Sequence, residues 1–262
     1  MNVSPNTILA SEGLRVSYGP IEVLKGVSFS VGNGSCLAVI GPNGAGKTTL
    51  FKVLTGEVAS RAGTISFQGA DVTKVPAHTR TSLGMGRTFQ VSRVFLELTA
   101  RENVIVAIES RRRNAGDYGA PWWRWRPARQ VVEEADALLF ALGIAHLRHA
   151  SAASLSHGDK KRLELAETLA LEPSILLLDE PTAGMAPGDR MQIVELIQTI
   201  RAERGVSVVM TEHDMDVIFN LADRVLVMNY GEVIAEGTVA EVRENPTVRA
   251  VYLGQDIYNA AH

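Results

Sequence analysis

Apolar residues along this chain recur with two periods, and the alternation between them lays out the fold. Ile8-Leu9-Ala10, Leu14-Arg15-Val16-Ser17-Tyr18, Glu22-Val23-Leu24 and Val27-Ser28-Phe29-Ser30-Val31 read as short strands joined by turns and closed by Gly32-Asn33-Gly34. Cys36–Ile40 is an unbroken apolar run, and Thr49–Leu54 beyond it spaces its apolar residues as a helix does. Gly63–Gly69 alternates like an edge strand ending in a turn. Thr99 with Glu102 three residues on forms a capping box that opens a helix. Residues 104–150 keep a mostly helical pattern, interrupted by Asn114–Pro127. Leu155–Asp159 breaks the chain before a helix over Lys160–Leu171, which Pro173 ends. Ile175–Leu178 is a continuous apolar run, the mark of a parallel strand buried on both faces. A helix over Asp189–Arg204, an apolar strand over Val206–Met210, a strand over Arg224–Met228 and a hairpin through Tyr230-Gly231-Glu232 follow. Strands alternating with helices predict a mainly parallel α/β core, with residues 91–163 inserted into it as a helical segment.

Between the first apolar run and its helix lies Gly41-Pro42-Asn43-Gly44-Ala45-Gly46-Lys47-Thr48. Strand, glycine loop, then Gly-Lys-Thr opening a helix is the context of a phosphate-binding P-loop. Polyphosphate is densely negative, and a helix N-terminus offers unpaired N–H groups and a positive dipole end. The glycines let the backbone turn where a Cβ would collide. Lys47 can reach the β- and γ-phosphates, and the Thr48 hydroxyl can ligate Mg²⁺. The pattern arises by chance in about one chain in a hundred of this length, so the chain is read as binding a nucleotide. Asp179 and Glu180 end the buried strand, at the edge where ligands sit in open α/β sheets. Asp179 is placed to hold Mg²⁺ and Glu180 to polarise an attacking water. His213, at the end of the next strand, can hydrogen-bond a γ-phosphate. From pattern alone Tyr18 reads as a half-buried strand aromatic.

Composition narrows the function classes. The 262 residues are 46% hydrophobic and 21% charged with a net charge of −3, so no bulk attraction to nucleic acid or anionic lipid is expected. Arg111-Arg112-Arg113 and Trp122-Trp123-Arg124-Trp125-Arg126 read as a loop whose tryptophans pack while its arginines stay solvated. The single cysteine, Cys36, reads as a small buried hydrophobe and cannot form an internal disulfide. Met1–Ala10 lacks the basic and apolar regions of a secretory signal. No apolar run approaches the ~18–20 residues that cross a bilayer, so any membrane span is expected from other chains.

Taken together and in order, these motifs resemble the ATP-binding cassette ATPases over nearly the whole chain. Gly41–Thr48 resembles Walker A and Ile175–Glu180 Walker B; Gln90 falls at the Q-loop, Leu155–Asp159 at the signature motif, Ala183–Ala186 at the D-loop and His213 at the H-loop. Tyr18 matches the aromatic that stacks on adenine, which reverses its reading from pattern. The resemblance implies a single ABC ATPase domain. A P-loop core covers about residues 1–90 and 164–240, with an antiparallel β subdomain, a helical subdomain over about 91–163 and a helical tail over about 241–262. It implies ATP and Mg²⁺ as cofactors, with Gly41 to Thr48 and Thr49 on the nucleotide and Thr48, Gln90 and Asp179 on the metal. It also implies a head-to-tail pair of subunits, in which Ser156 and the backbone around Gly158 contact the γ-phosphate on the other subunit's P-loop. Glu180 is then the general base, with Lys47 and His213 on the γ-phosphate and Gln90 sensing the metal and a membrane partner.

Arg87-Thr88-Phe89-Gln90, the Trp/Arg insertion and the ending Asn245–Gly254 are similar to the ATPases of branched-chain amino acid importers. That implies permease subunits in the membrane, a second ATPase subunit (identical or paralogous) and, indirectly, a solute-binding protein, with no nucleic acid. The expected place is the cytoplasm, peripheral on the inner face of the membrane. Two departures from the family pattern stand out. His157 and Asp159 replace a glycine and the glutamine of the signature motif, and Ala186 stands where Asn or Asp is usual. Asp159 and Ala186 motivate a rival expectation, a nucleotide-dependent regulatory subunit with little hydrolysis. A soluble ABC protein outside transport is a second rival, one that usually carries two cassettes or a long coiled coil.

Overall fold

A computed structural model describes residues 6–88, 93–117 and 127–253. Gln90 and the Trp122–Arg126 stretch lie outside the described residues, as does the tail beyond 253. The chain begins with β1 (Thr7–Tyr18), β2 (Ile21–Gly32), β3 (Cys36–Ile40), α1 (Lys47–Leu54), β4 (Ala62–Phe67), β5 (Ala70–Asp71), α2 (Ala77–Ser82) and β6 (Met85–Arg87). A helical stretch follows with α3 (Ala100–Asn114), α4 (Arg129–Ala141) and α5 (His157–Ala170). The chain then returns to sheet with β7 (Ile175–Asp179), α6 (Pro187–Arg204), β8 (Ser207–Thr211), α7 (Met215–Leu221), β9 (Arg224–Asn229) and β10 (Glu232–Gly237), and closes with α8 (Val239–Glu244) and α9 (Pro246–Leu253).

Among the described residues the strands form two sheets. One is antiparallel in the order β2-β1-β4-β5; the other runs β10-β9-β3-β8-β7-β6 and is parallel except for β10. The apolar runs separate by side-chain parity, as a period of two demands. Leu37, Val39, Ile175 and Leu177 face a core shared with β1, β2 and α1. Cys36, Ala38, Leu176 and Leu178 face a second core shared with the helices. Both faces are thus buried, which is why these strands carry no polar alternation.

Four sequence expectations change. The four short strands over 8–31 are two twelve-residue strands paired along their length. Register shifts near Gly13 (φ +58°) let each strand continue through residues that read as turns. Gly63–Gly69 is not an edge: β4 lies between β1 and β5. The helix expected over Lys160–Leu171 begins at His157, because Ser156 caps it by accepting the Asp159 amide. The capping box at Thr99 forms as expected, with Thr99 Oγ1 accepting from the Glu102 amide (3.3 Å) and Glu102 Oε2 accepting from the Thr99 amide (2.8 Å). Arg111, read as solvated, instead donates to Ala170 O (2.8 Å) and pairs with Glu134 and Glu172, tying α3 to α4 and to the end of α5.

Candidate functional site

The C-terminal ends of β3, β7 and β8 are neighbours in one sheet, and each carries predicted site residues. After β3 the loop Gly41–Gly46 turns into α1, whose cap, Gly46, is left-handed (φ +103°) and offers no side chain to the first-turn N–H groups. Those donors therefore remain available to an anion. A Cβ on Gly41 would lie 2.2 Å from the Met228 carbonyl, so the loop lies directly on β9. Gly44 (φ +82°) meets open space instead. The Gly231 amide donates to Ala45 O (3.0 Å), pinning the loop to the β9–β10 turn. Lys47 folds back along the loop, its Nζ donating to Gly41 O (2.6 Å) and Pro42 O (3.1 Å). Burial pushes its ammonium below the usual lysine pKa, against the pull of the Glu180 and Asp179 charges. Thr48 is exposed at the first turn of α1, with Thr49 half-buried beside it.

Across from this loop Asp179 is buried, with Oδ1 accepting from the Thr211 hydroxyl (2.8 Å). The same hydroxyl oxygen accepts from the Glu180 amide (3.1 Å), so β8 fixes both carboxylate residues. Glu180 has a positive φ of 50°, an unusual conformation for a residue with a Cβ. Its Oε1 faces His213 Nε2 at 3.0 Å, so the two separately predicted groups form one pair. Glu212, which sequence reasoning passed over, holds the turn after Glu180. Its carboxylate accepts from the Thr182 amide (3.1 Å) and hydroxyl (2.7 Å) and from the His213 amide (3.1 Å). Only its burial, at 4% exposure, separates it from an ordinary strand-end glutamate, and no sequence signal carries that.

Ser156 and Gly158 stand at the start of α5, and Ser156 finds its partners within its own turn. Its hydroxyl donates to Asp159 Oδ2 (2.6 Å) while Oγ accepts from the Asp159 amide (3.1 Å). His157 donates from Nε2 to Ala183 O (3.2 Å), joining this helix start to the segment after Glu180. Ala186 caps α6 without a side-chain acceptor. Tyr18 ends β1 and is 47% exposed, which removes the half-buried reading made from pattern alone.

A glycine cradle, uncapped N–H groups and a lysine over the loop suit a polyphosphate. The Thr48 hydroxyl and the Asp179 carboxylate are hard oxygen donors of the kind magnesium takes beside phosphates. Comparison with known proteins decides the family: residues 24–183 match the ABC transporter family. The chain belongs to it. Residues 232–258 match a second family description, the branched-chain amino acid ATP-binding cassette transporter. Over 252 residues the chain is 37% identical to the high-affinity branched-chain amino acid transport ATP-binding protein BraF of Pseudomonas aeruginosa, covering 95% of this chain and 98% of that one. It is 34% identical to LivG of Escherichia coli, a protein of the same description, over 251 residues covering 95% and 98%. The crystal structure of the ADP conformation of an ATP-binding cassette of an ABC transporter superposes with a TM-score of 0.82 at 32% identity, covering 95% of this chain and 99% of that one. A nucleotide-free cassette gives the same score and identity over 94% and 98%. The ABC protein described here is therefore a nucleotide-binding α/β ATPase of the branched-chain amino acid importer type. Among its described residues no helix is long and apolar enough to cross a membrane.

Proposed function

We propose that this ABC ATPase couples MgATP binding and hydrolysis to import of branched-chain amino acids or a related small polar solute. The observation that carries the catalytic part is the Glu180–His213 pair, set on adjacent strand ends beside Asp179 and facing Lys47's loop. In this reading the loop amides and Lys47 bind the β- and γ-phosphates, and Tyr18 stacks on the adenine. Thr48, Asp179 and Gln90 would hold magnesium; the ion would neutralise part of the phosphate charge. Glu180 takes the proton of the attacking water, and His213 orients Glu180 and the γ-phosphate. Ser156 and the Gly158 backbone serve the P-loop of a second ATPase subunit, laid head-to-tail. The pair works on the cytoplasmic face of the membrane beneath permease subunits, with a solute-binding protein delivering the cargo outside.

The test is reconstitution in proteoliposomes with candidate permease subunits and a solute-binding protein. ATP-dependent uptake of leucine, lost in Glu180→Gln, is the expected result. Uptake of urea or an amide instead would move the substrate within the same reading. Uptake unchanged by Glu180→Gln would leave only the regulatory alternative that the unusual Asp159 and Ala186 motivate.

A further inference from the structure

Arg87 ends β6, and the sequence singles out Arg87-Thr88-Phe89-Gln90 without giving the arginine a task. Its side chain is 9% exposed. Nη1 donates to Thr55 Oγ1 (3.0 Å) and pairs with Glu57, both just past the end of α1. Nη2 lies 3.7 Å from Asp179 Oδ2. Asp179 therefore has a neutral hydroxyl on one oxygen and a guanidinium beside the other. Arg87 lies within ion-pair distance of this carboxylate, whereas the Lys47 ammonium is bound to carbonyls of its own loop. Glu164, on α5, also acts on Arg87 through its charge.

A buried carboxylate without a counter-charge is costly, and a guanidinium cannot relieve the cost by losing its proton. A pairing with Glu57 and Thr55 would by itself anchor the arginine to the P-loop helix. It does not explain why the second arm of the fork is turned to the residue that the proposed function gives to magnesium. We propose that Arg87 is a positioning residue that balances Asp179 while no nucleotide is bound and yields Oδ2 to the magnesium ion that arrives with ATP. The inference rests on that reading of Asp179. A bare divalent cation must displace the guanidinium and adds two charges to a site that already holds Lys47. MgATP brings its own negative charge, and the other arm of Arg87, Nη1, keeps its hold on Glu57 and Thr55. The nucleotide-free protein thus discriminates against free metal without losing the complexed ion.

Mn²⁺, counted as free ion by electron paramagnetic resonance, is the probe for the nucleotide-free full-length protein. Arg87→Ala is expected to tighten Mn²⁺ binding about tenfold, the effect of removing one adjacent like charge. Arg87→Lys should stay near the parent protein, and adding Asp179→Asn to Arg87→Ala should abolish the gain. Equal Mn²⁺ affinity in Arg87→Ala and the parent, or a gain that survives Asp179→Asn, overturns the proposal. Should Arg87→Ala not fold, Glu57→Gln takes its place: it throws the arginine onto Asp179 and should weaken Mn²⁺ binding, and no change again overturns it. The underlying reading fails separately, if Asp179→Asn leaves the metal dependence of ATP binding intact.

Discussion

Ser156 and Asp159 satisfy one another: the serine hydroxyl donates to the carboxylate at 2.6 Å, and the aspartate amide returns to the serine oxygen at 3.1 Å. The serine oxygen caps the start of α5. The exchange also occupies the hydroxyl that the proposed function gives to the other subunit's γ-phosphate, and it sets a negative charge in the helix's first turn. Repulsion between that solvated carboxylate and a phosphate charge about 4 Å away, at the dielectric of water, is about 1 kcal/mol, or about fivefold in affinity. Asp159→Gln is therefore expected to tighten ATP binding by the assembled subunits about fivefold and to raise turnover. Unchanged affinity and turnover would remove Asp159 from any part in the site.

Glu180 and His213 share one hydrogen bond. Glu180→Gln keeps the shape and removes the base, so hydrolysis should fall by about 10²–10⁴ with MgATP binding preserved. Single-turnover hydrolysis alongside binding of a fluorescent ATP analogue separates the two. His213→Ala should slow hydrolysis as well, and the double variant should fall little further if the pair acts as one unit.

Ala186 begins α6 with extended backbone (φ −65°, ψ 153°) and no side-chain acceptor for the helix's first amides. An Asn or Asp at an N-cap position supplies one. Ala186→Asp is expected to stabilise the fold by about 1 kcal/mol, raising the melting temperature by roughly 2–4 °C. A flat or lowered melting temperature would show that the turn cannot admit the side chain.

Glu167 lies in α5, and its Oε1 has no hydrogen-bond partner among the described residues. Burial, reinforced by the charge of Glu164, pushes its carboxyl up from 4.5 to about 8. The unfolded chain releases this proton near the ordinary glutamate value and the folded chain holds it to about 8, so folding takes up a proton between those limits. The stabilising contribution is complete below the unfolded value and is lost as pH rises through the folded one. Glu167→Gln should match the parent protein's melting temperature at about pH 5 and exceed it at about pH 8.5. Parallel melting curves at both pH values would mean that Glu167 is ionised in the fold.

The parallel core is legible in the sequence because both faces of Cys36–Ile40 and Ile175–Leu178 are buried, which leaves an unbroken apolar run as their mark. The P-loop is legible because glycines, lysine and threonine at fixed spacing have few other uses. The long pairing of β1 with β2 was hidden, since bulges admit residues that single-strand pattern assigns to turns. The start of α5 was hidden because Leu155–Asp159 resembled a phosphate-contacting loop, while locally Ser156 and Asp159 are capping chemistry. Arg87 stood out only as part of a family motif with no task of its own, and Glu212 had no local signature. What they do depends on residues brought opposite them by the sheet, Asp179 for one and Thr182 for the other.

The loop Gly41–Gly46 rests on β9 and on the turn that follows it, through the Met228 carbonyl and the Gly231 amide. These supports follow the loop far along the chain, after every other strand of its sheet but β10. A polypeptide leaving the ribosome therefore exposes its phosphate loop long before the backbone that shapes it has been made. A protein truncated ahead of β9 should leave this loop without its floor.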